Sequence, residues 1–128
     1  GPPCYCGRNG CNEVWLSGTG VARDHYETTG QKITAIEIAA QETPEAKASI
    51  ERLTDRLARA LGAVINLVDP DVIVLGGGLS NIDLLYTGVP ELWSDYIFSD
   101  VINTRLVPNM HGDASGVRGA AWLWPSER

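Results

Sequence analysis

The 128 residues carry 16 acidic against 10 basic side chains, a net charge of −6 and a pI of about 4.7, so the positive footprint of a nucleic-acid binder is missing. A 44% hydrophobic content is ordinary for a globular protein of one domain at most, and every apolar stretch is broken by charge, Gly or Pro before it could cross a bilayer. No nucleic-acid partner and no membrane are expected. Three reduced-looking cysteines with no export segment favour a cytoplasmic protein.

All three cysteines fall within the first eleven residues, in Cys4-Tyr5-Cys6-Gly7-Arg8-Asn9-Gly10-Cys11-Asn12-Glu13. The glycines let the backbone turn sharply, so three thiolates spaced C-x-C-x4-C can wrap one small ion. Tetrahedral zinc takes four ligands, and the fourth is expected from a segment cut away ahead of Gly1. A disulfide framework would leave one thiol over, and the C-x-x-C of a redox site is absent; reduced free thiols are the competing reading. Glu13, two residues after the last sulfur, reads either as a rigid acceptor suited to sugar hydroxyls or as a first-turn glutamate facing a helix dipole.

After a short apolar turn at Glu13 to Leu16, Ser17 or Thr19 is expected to cap a helix over roughly Val21 to Thr28, ended by Gly30. Thr34 with Glu37 three residues on reads as a capping box for a short helix from Ala35 to Gln41. The longest helix is expected from Pro44, capped by Thr43, to about Val68, where Asp69-Pro70 closes it. Its apolar stripe is Ile50, Leu53, Leu57, Leu61, Val64 and Leu67 or Val68, with Glu51, Arg52, Asp55, Arg56 and Arg59 on the solvated side. His25 and His111 read as lone histidines, each free to lie on the surface and neither at ligand spacing from the cysteines.

Asp71 to Leu75 is rich in β-branched side chains and continuously apolar from Val72, which predicts a strand covered on both faces, as in a parallel α/β sheet. It runs into Gly76-Gly77-Gly78 and a further helix. Helical spacing resumes at Leu84-Leu85 and from Pro90 to Phe98, and a second strand is expected at Thr104 to Val107. A Gly-rich loop from His111 then leads into a last helix ending at Trp124 and stopped by Pro125. A strand, a glycine triplet and a helix can hold a phosphate or nucleotide, because a backbone without Cβ atoms approaches a ligand closely. The triplet is neither a Walker A sequence nor G-x-G-x-x-G, and a tight turn is the plainer alternative; the second Gly-rich helix entry, Gly112 to Gly119, favours the cleft.

Cys4-x-Cys6-Gly7-x-x-Gly10-Cys11-x-Glu13 with Ser17-Gly18 resembles the zinc signature of ROK sugar kinases (repressor, open reading frame, kinase). Asp69 to Gly78 is similar to that family's C-terminal glycine motif, and His111 to Pro125 resembles the ending of its fructokinase/mannokinase branch. The resemblance implies an α/β fold, part of the C-terminal lobe of an actin-like ATPase (ribonuclease H-like) fold, helix-rich with a short parallel strand pair. Residues 1–128 would then be the C-terminal part of such a kinase, with 1–20 the zinc loop and its following turn and 43–128 the long helix, strands and glycine motif. It implies phosphoryl transfer from ATP, with Mg, to a sugar hydroxyl, most directly fructose. Cys4, Cys6 and Cys11 would ligate structural zinc, Glu13 would contact the sugar, and Gly76, Gly77 and Gly78 would lie beside the adenosine of ATP. The family's phosphate loop, catalytic aspartate and zinc histidine are not in this chain, so the chain alone is expected to be inactive. Another hexose, a sugar-sensing ROK repressor and a homo-oligomeric assembly also belong to these expectations.

Overall fold

The computed structural model describes residues 1–123; Trp124 and Pro125, the expected end and stop of the last helix, lie outside the described residues. Local chemistry sets the helix ends. Helix α1 (Gly18–Thr29) is capped by the Ser17 hydroxyl, which accepts from the Gly20 N–H at 3.1 Å, and is closed by Gly30 at φ 74°. Helix α2 (Ala35–Ala39) carries the full capping box: the Glu37 carboxylate accepts from the Thr34 N–H at 2.7 Å, and that bond holds its pKa below the ordinary carboxylate value. Helix α3 (Pro44–Val68) begins with the Thr43 hydroxyl accepting from the Ala46 N–H at 3.3 Å and ends with Asp69 in the left-handed region at φ 47°.

Strand β1 (Val72–Leu75) leads through the glycine triplet into a 3-10 turn (Gly78–Asn81) rather than a helix; helix α4 (Leu84–Glu91) and a further 3-10 turn (Trp93–Asp95) come next. Strand β2 (Arg105–Pro108) pairs with β1 in parallel, Val72 opposite Arg105 and Leu75 opposite Pro108. The connection through α4 is the crossover that a parallel pair requires. Helices α1, α2, α3 and α4 pack on one another around a core that includes Val21, Ile38, Leu53, Leu85, Val89 and Trp93. Ile38 is fully buried. Ile38→Val, which removes one methylene there, is expected to lower the unfolding free energy by about 0.5–1.5 kcal/mol, read from urea denaturation.

Three expectations are corrected. On α3 the buried residues follow a ridge of four-residue steps, Ala46, Ile50, Thr54, Ala58 and Gly62, joined by Ser49, Leu53 and Ile65. Such a ridge drifts about 40° per step around a 3.6-residue helix, so the stripe read at mixed spacing has left the core by its end. Val64, Leu67 and Val68 are 43%, 86% and 68% exposed. Arg52 and Arg56 are half-buried against α1 rather than solvated. In β1, Ile73 and Leu75 turn inward while Val72 and Val74 face outward, because the sheet among the described residues has two strands and one covered face.

Helix α5 (Ser115–Trp122) buries none of its residues. It is tied at its start, where the Ser115 hydroxyl donates to the Asn109 side-chain oxygen at 3.2 Å.

Candidate functional site

Residues 1–11 fold into a small knot of turns. The Cys4 N–H donates to the Arg8 carbonyl at 2.7 Å, the Gly7 N–H to the Cys4 carbonyl at 3.0 Å and the Gly10 N–H to the Pro2 carbonyl at 2.8 Å. Gly7 and Gly10 stand at φ 83° and 67°, where a side chain would be strained, so the turns between the cysteines depend on them. The three sulfurs all lie within 4.8 Å of one another, and those of Cys6 and Cys11 are 3.6 Å apart. Zinc at about 2.3 Å from each sulfur would set tetrahedral sulfurs roughly 3.8 Å apart, so the donor set fits that ion.

Thiol acidity is split unevenly across the cluster. A backbone hydrogen bond from Arg8, followed by bonds from Cys11 and Cys4, holds Cys6 below its ordinary value. Hydrogen bonding with Cys6 and then Cys4 pushes Cys11 up to about 11. The Cys11 proton leaves only against its neighbouring sulfurs, a penalty that a bound dication removes. Among the described residues no fourth Cys, His, Asp or Glu joins the group.

Cys11 begins the 3-10 turn Asn12–Val14, which carries Glu13 on its exposed side and Val14 on its buried side. This turn sits against the start of α1, where a Cβ on Gly20 would come within 2.5 Å of the Val14 carbonyl oxygen; glycine is needed for that approach. The Val14 carbonyl also accepts from Arg23 at 2.6 Å. Beyond it the Trp15 ring lies 4.3 Å from the Arg56 guanidinium and 5.5 Å from that of Arg23.

Asp24 anchors both α3 arginines: its carboxylate accepts from Arg52 Nε at 2.8 Å and from Arg56 Nη2 at 2.9 Å, with Arg52 Nη2 in an ion pair at 2.7 Å. Burial pushes the Asp24 carboxyl up, but the bonds and charges of Arg52 and Arg56 outweigh it and hold the pKa below the ordinary carboxylate value. Nothing local in the sequence marked Asp24, since its partners lie 28 and 32 residues away.

His25, expected to be free to lie on the surface, is fully buried. Its Nδ1 is 2.9 Å from the Ser49 hydroxyl and its Nε2 is 3.5 Å from the Gln31 side-chain oxygen, so both ring nitrogens face partners away from the sulfurs. Ser49 donates to the Glu45 carbonyl and therefore accepts from His25 and from Arg52. His111 is exposed.

The two Gly-rich segments meet through Asn109. Its amide donates to the Leu75 carbonyl at 3.1 Å and to the Ser80 hydroxyl at 3.0 Å, while its oxygen receives Ser115 at the start of α5. Ser80 in turn donates to the Gly77 carbonyl at 2.7 Å. Gly77 has φ 75° and requires glycine for its backbone alone. Gly76 and Gly78 have no such need: a Cβ on either would meet open space, as would one on Gly116 or Gly119, whereas Gly112 at φ 79° requires glycine as Gly77 does. A cavity of about 550 Å³ opens beside Gly78 and Leu79, lined also by Gly18, Lys32, Ile33 and Ile36. A second hollow of about 540 Å³, between α3 and α4, is lined by none of the candidate site residues: not the cysteines, Glu13 or the glycine triplet.

A sequence model described as the ROK family matches residues 1–127. This chain belongs to the ROK family. It is 41% identical over 123 residues to the N-acetyl-D-glucosamine kinase of Escherichia coli O1:K1 / APEC, covering 94% of this chain and 41% of that protein. The ROK chain therefore spans well under half the length of this relative. A ROK hexokinase from Thermus thermophilus superposes with a TM-score of 0.78 at 25% identity, over 94% of this chain and 42% of its own. A ROK family glucokinase from Streptomyces griseus, in complex with glucose and AMPPNP, superposes with a TM-score of 0.82 at 23% identity, over 96% of this chain and 47% of its own. The fold is thus part of the actin-like ATPase fold of ROK sugar kinases, helix-rich with a parallel strand pair. Among the described residues no helix is long and apolar enough to cross a membrane.

Proposed function

We propose that this ROK chain is the C-terminal part of a cytoplasmic, ATP- and Mg-dependent hexose kinase. One observation carries the reading: a three-sulfur knot leads directly into the turn that presents an exposed Glu13, in the same chain as a glycine triplet whose open sides leave room for a ligand. Cys4, Cys6 and Cys11 hold zinc, Glu13 accepts from a sugar hydroxyl, and Gly76, Gly77 and Gly78 lie beside the adenosine of ATP. Phosphoryl transfer depends mostly on positioning and charge stabilisation, so the half-site alone is inactive and the full-length enzyme catalyses.

Fructose is the substrate favoured by the His111–Pro125 ending. N-acetylglucosamine is the second reading, favoured by the 41% identity to N-acetyl-D-glucosamine kinases. A coupled assay on the full-length protein with Mg-ATP decides between them by comparing kcat/KM for the two sugars; a strong preference for glucose would reject both. A helix-turn-helix ahead of the phosphate loop, with no turnover of any hexose, would make the protein a repressor instead.

In the same assay Glu13→Gln is expected to raise the sugar KM roughly 10–100-fold, the scale of a lost hydrogen bond to a charged group, with the ATP KM within about twofold. Equal losses for both substrates would make Glu13 structural.

A further inference from the structure

The turn carrying Glu13 has no bulky anchor of its own, since its buried residue is Val14 alone. It is held through the next residue along the chain. Trp15 lies within reach of two guanidinium groups, Arg56 from α3 at 4.3 Å and Arg23 from α1 at 5.5 Å, and Arg23 also donates to the Val14 carbonyl. An arginine that stacks on an aromatic ring must keep its plane fixed, and a free guanidinium on a flexible stem does not. Asp24 supplies that constraint: its side chain is only 12% exposed, and one of its oxygens accepts from Arg56 while the other takes Arg52.

We propose that Asp24, Arg56 and Trp15 act as a positioning clamp, fixing the turn that presents Glu13 against α3 and so setting where the sugar-contacting carboxylate stands. The clamp rests on the reading of Glu13 as the sugar contact. A purely structural role would be felt throughout the protein; the clamp is felt at the sugar and at the turn.

The test uses the full-length protein. Arg56→Lys keeps the charge facing Asp24 but has no plane to stack; Trp15→Leu keeps an apolar side chain but has no ring; Trp15→Phe keeps a ring. Arg56→Lys and Trp15→Leu are each expected to raise the sugar KM roughly tenfold, since a small misplacement is costly, with the ATP KM within about twofold. Hydrogen–deuterium exchange of the Trp15 and Leu16 amides, both bonded to the Asn12 carbonyl, is expected to quicken by roughly tenfold as the turn loosens. Trp15→Phe should stay near wild type on both readouts.

Unchanged exchange in Arg56→Lys, sugar and ATP KM values rising together, or Trp15→Phe behaving like Trp15→Leu would each overturn the clamp. Should Glu13→Gln leave the sugar KM untouched, the sugar-contact reading fails separately. The exchange rates then decide whether the clamp holds the turn, and unchanged rates reject it.

Discussion

Cys6→Ser is expected to take the full-length protein from one zinc per chain to less than about a tenth of that, measured by elemental analysis after dialysis, because a serine hydroxyl does not ionise to replace a thiolate ligand near neutral pH. Cys6 is the informative position. Its side chain is exposed and supports no core packing, whereas Cys4 is 8% exposed, and replacing it would mix loss of a ligand with loss of packing. The cluster also holds the Cys6 thiol below its ordinary value, through the backbone bond from Arg8 and the neighbouring sulfurs. With the Cys6 sulfur and the ion gone, the 3.6 Å contact between Cys6 and Cys11 is lost as well, and the turns at Gly7 and Gly10 lose their common anchor. Glu13 stands two residues from Cys11, so the sugar KM should rise in the same variant. A wild-type full-length protein that folds normally without metal, or a Cys6→Ser protein that keeps its zinc, would rule out a structural metal at these sulfurs.

The parts of this structure that were legible in the sequence are those decided within one helical turn or one strand. Thr34 and Glu37 close a capping box across three residues, Thr43 and Pro44 start α3, and Gly30 ends α1; each needs only its immediate neighbours. The cysteine knot was legible for the same reason, since its three sulfurs sit on one short loop turned by its own glycines. What escaped was set across the fold. Asp24 finds Arg52 and Arg56 only because α1 lies on α3, and a charge pattern along α3 read alone places both arginines in solvent. His25 is buried because Ser49 and Gln31 face it, which no spacing announces. The end of α3 misled because its apolar residues continue past the point where the packed ridge has rotated away, leaving Leu67 exposed. The glycine triplet itself was legible, but its link to the Gly112 segment through Asn109, Ser80 and Ser115 was not.

The 128-residue chain by itself is expected to self-associate, sedimenting as species heavier than its 13.8 kDa. A two-stranded sheet leaves an unpaired edge on each strand, and a pair of strands this short is marginal without further pairing or cover. Val72 and Val74 point off that sheet at 42% and 55% exposure, and Leu67 and Phe98 are each 86% exposed. Helix α5, with none of its residues buried, adds Val117 and Trp122 at 74% and 81%, and Leu123 just after it is 85% exposed. Scattered apolar side chains are normal on a soluble surface, but this number of large ones, together with open strand edges, marks surface that seeks a partner. The net charge of −6 opposes association only weakly at physiological salt, where repulsion is screened beyond about 8 Å. Sedimentation velocity over a range of concentrations should therefore show a shift to larger species as concentration rises. Val74→Lys, which puts a charge on the open sheet face, should move that shift to higher concentration. A monomer that melts cooperatively at every concentration tested would show that these exposed surfaces need no cover at all.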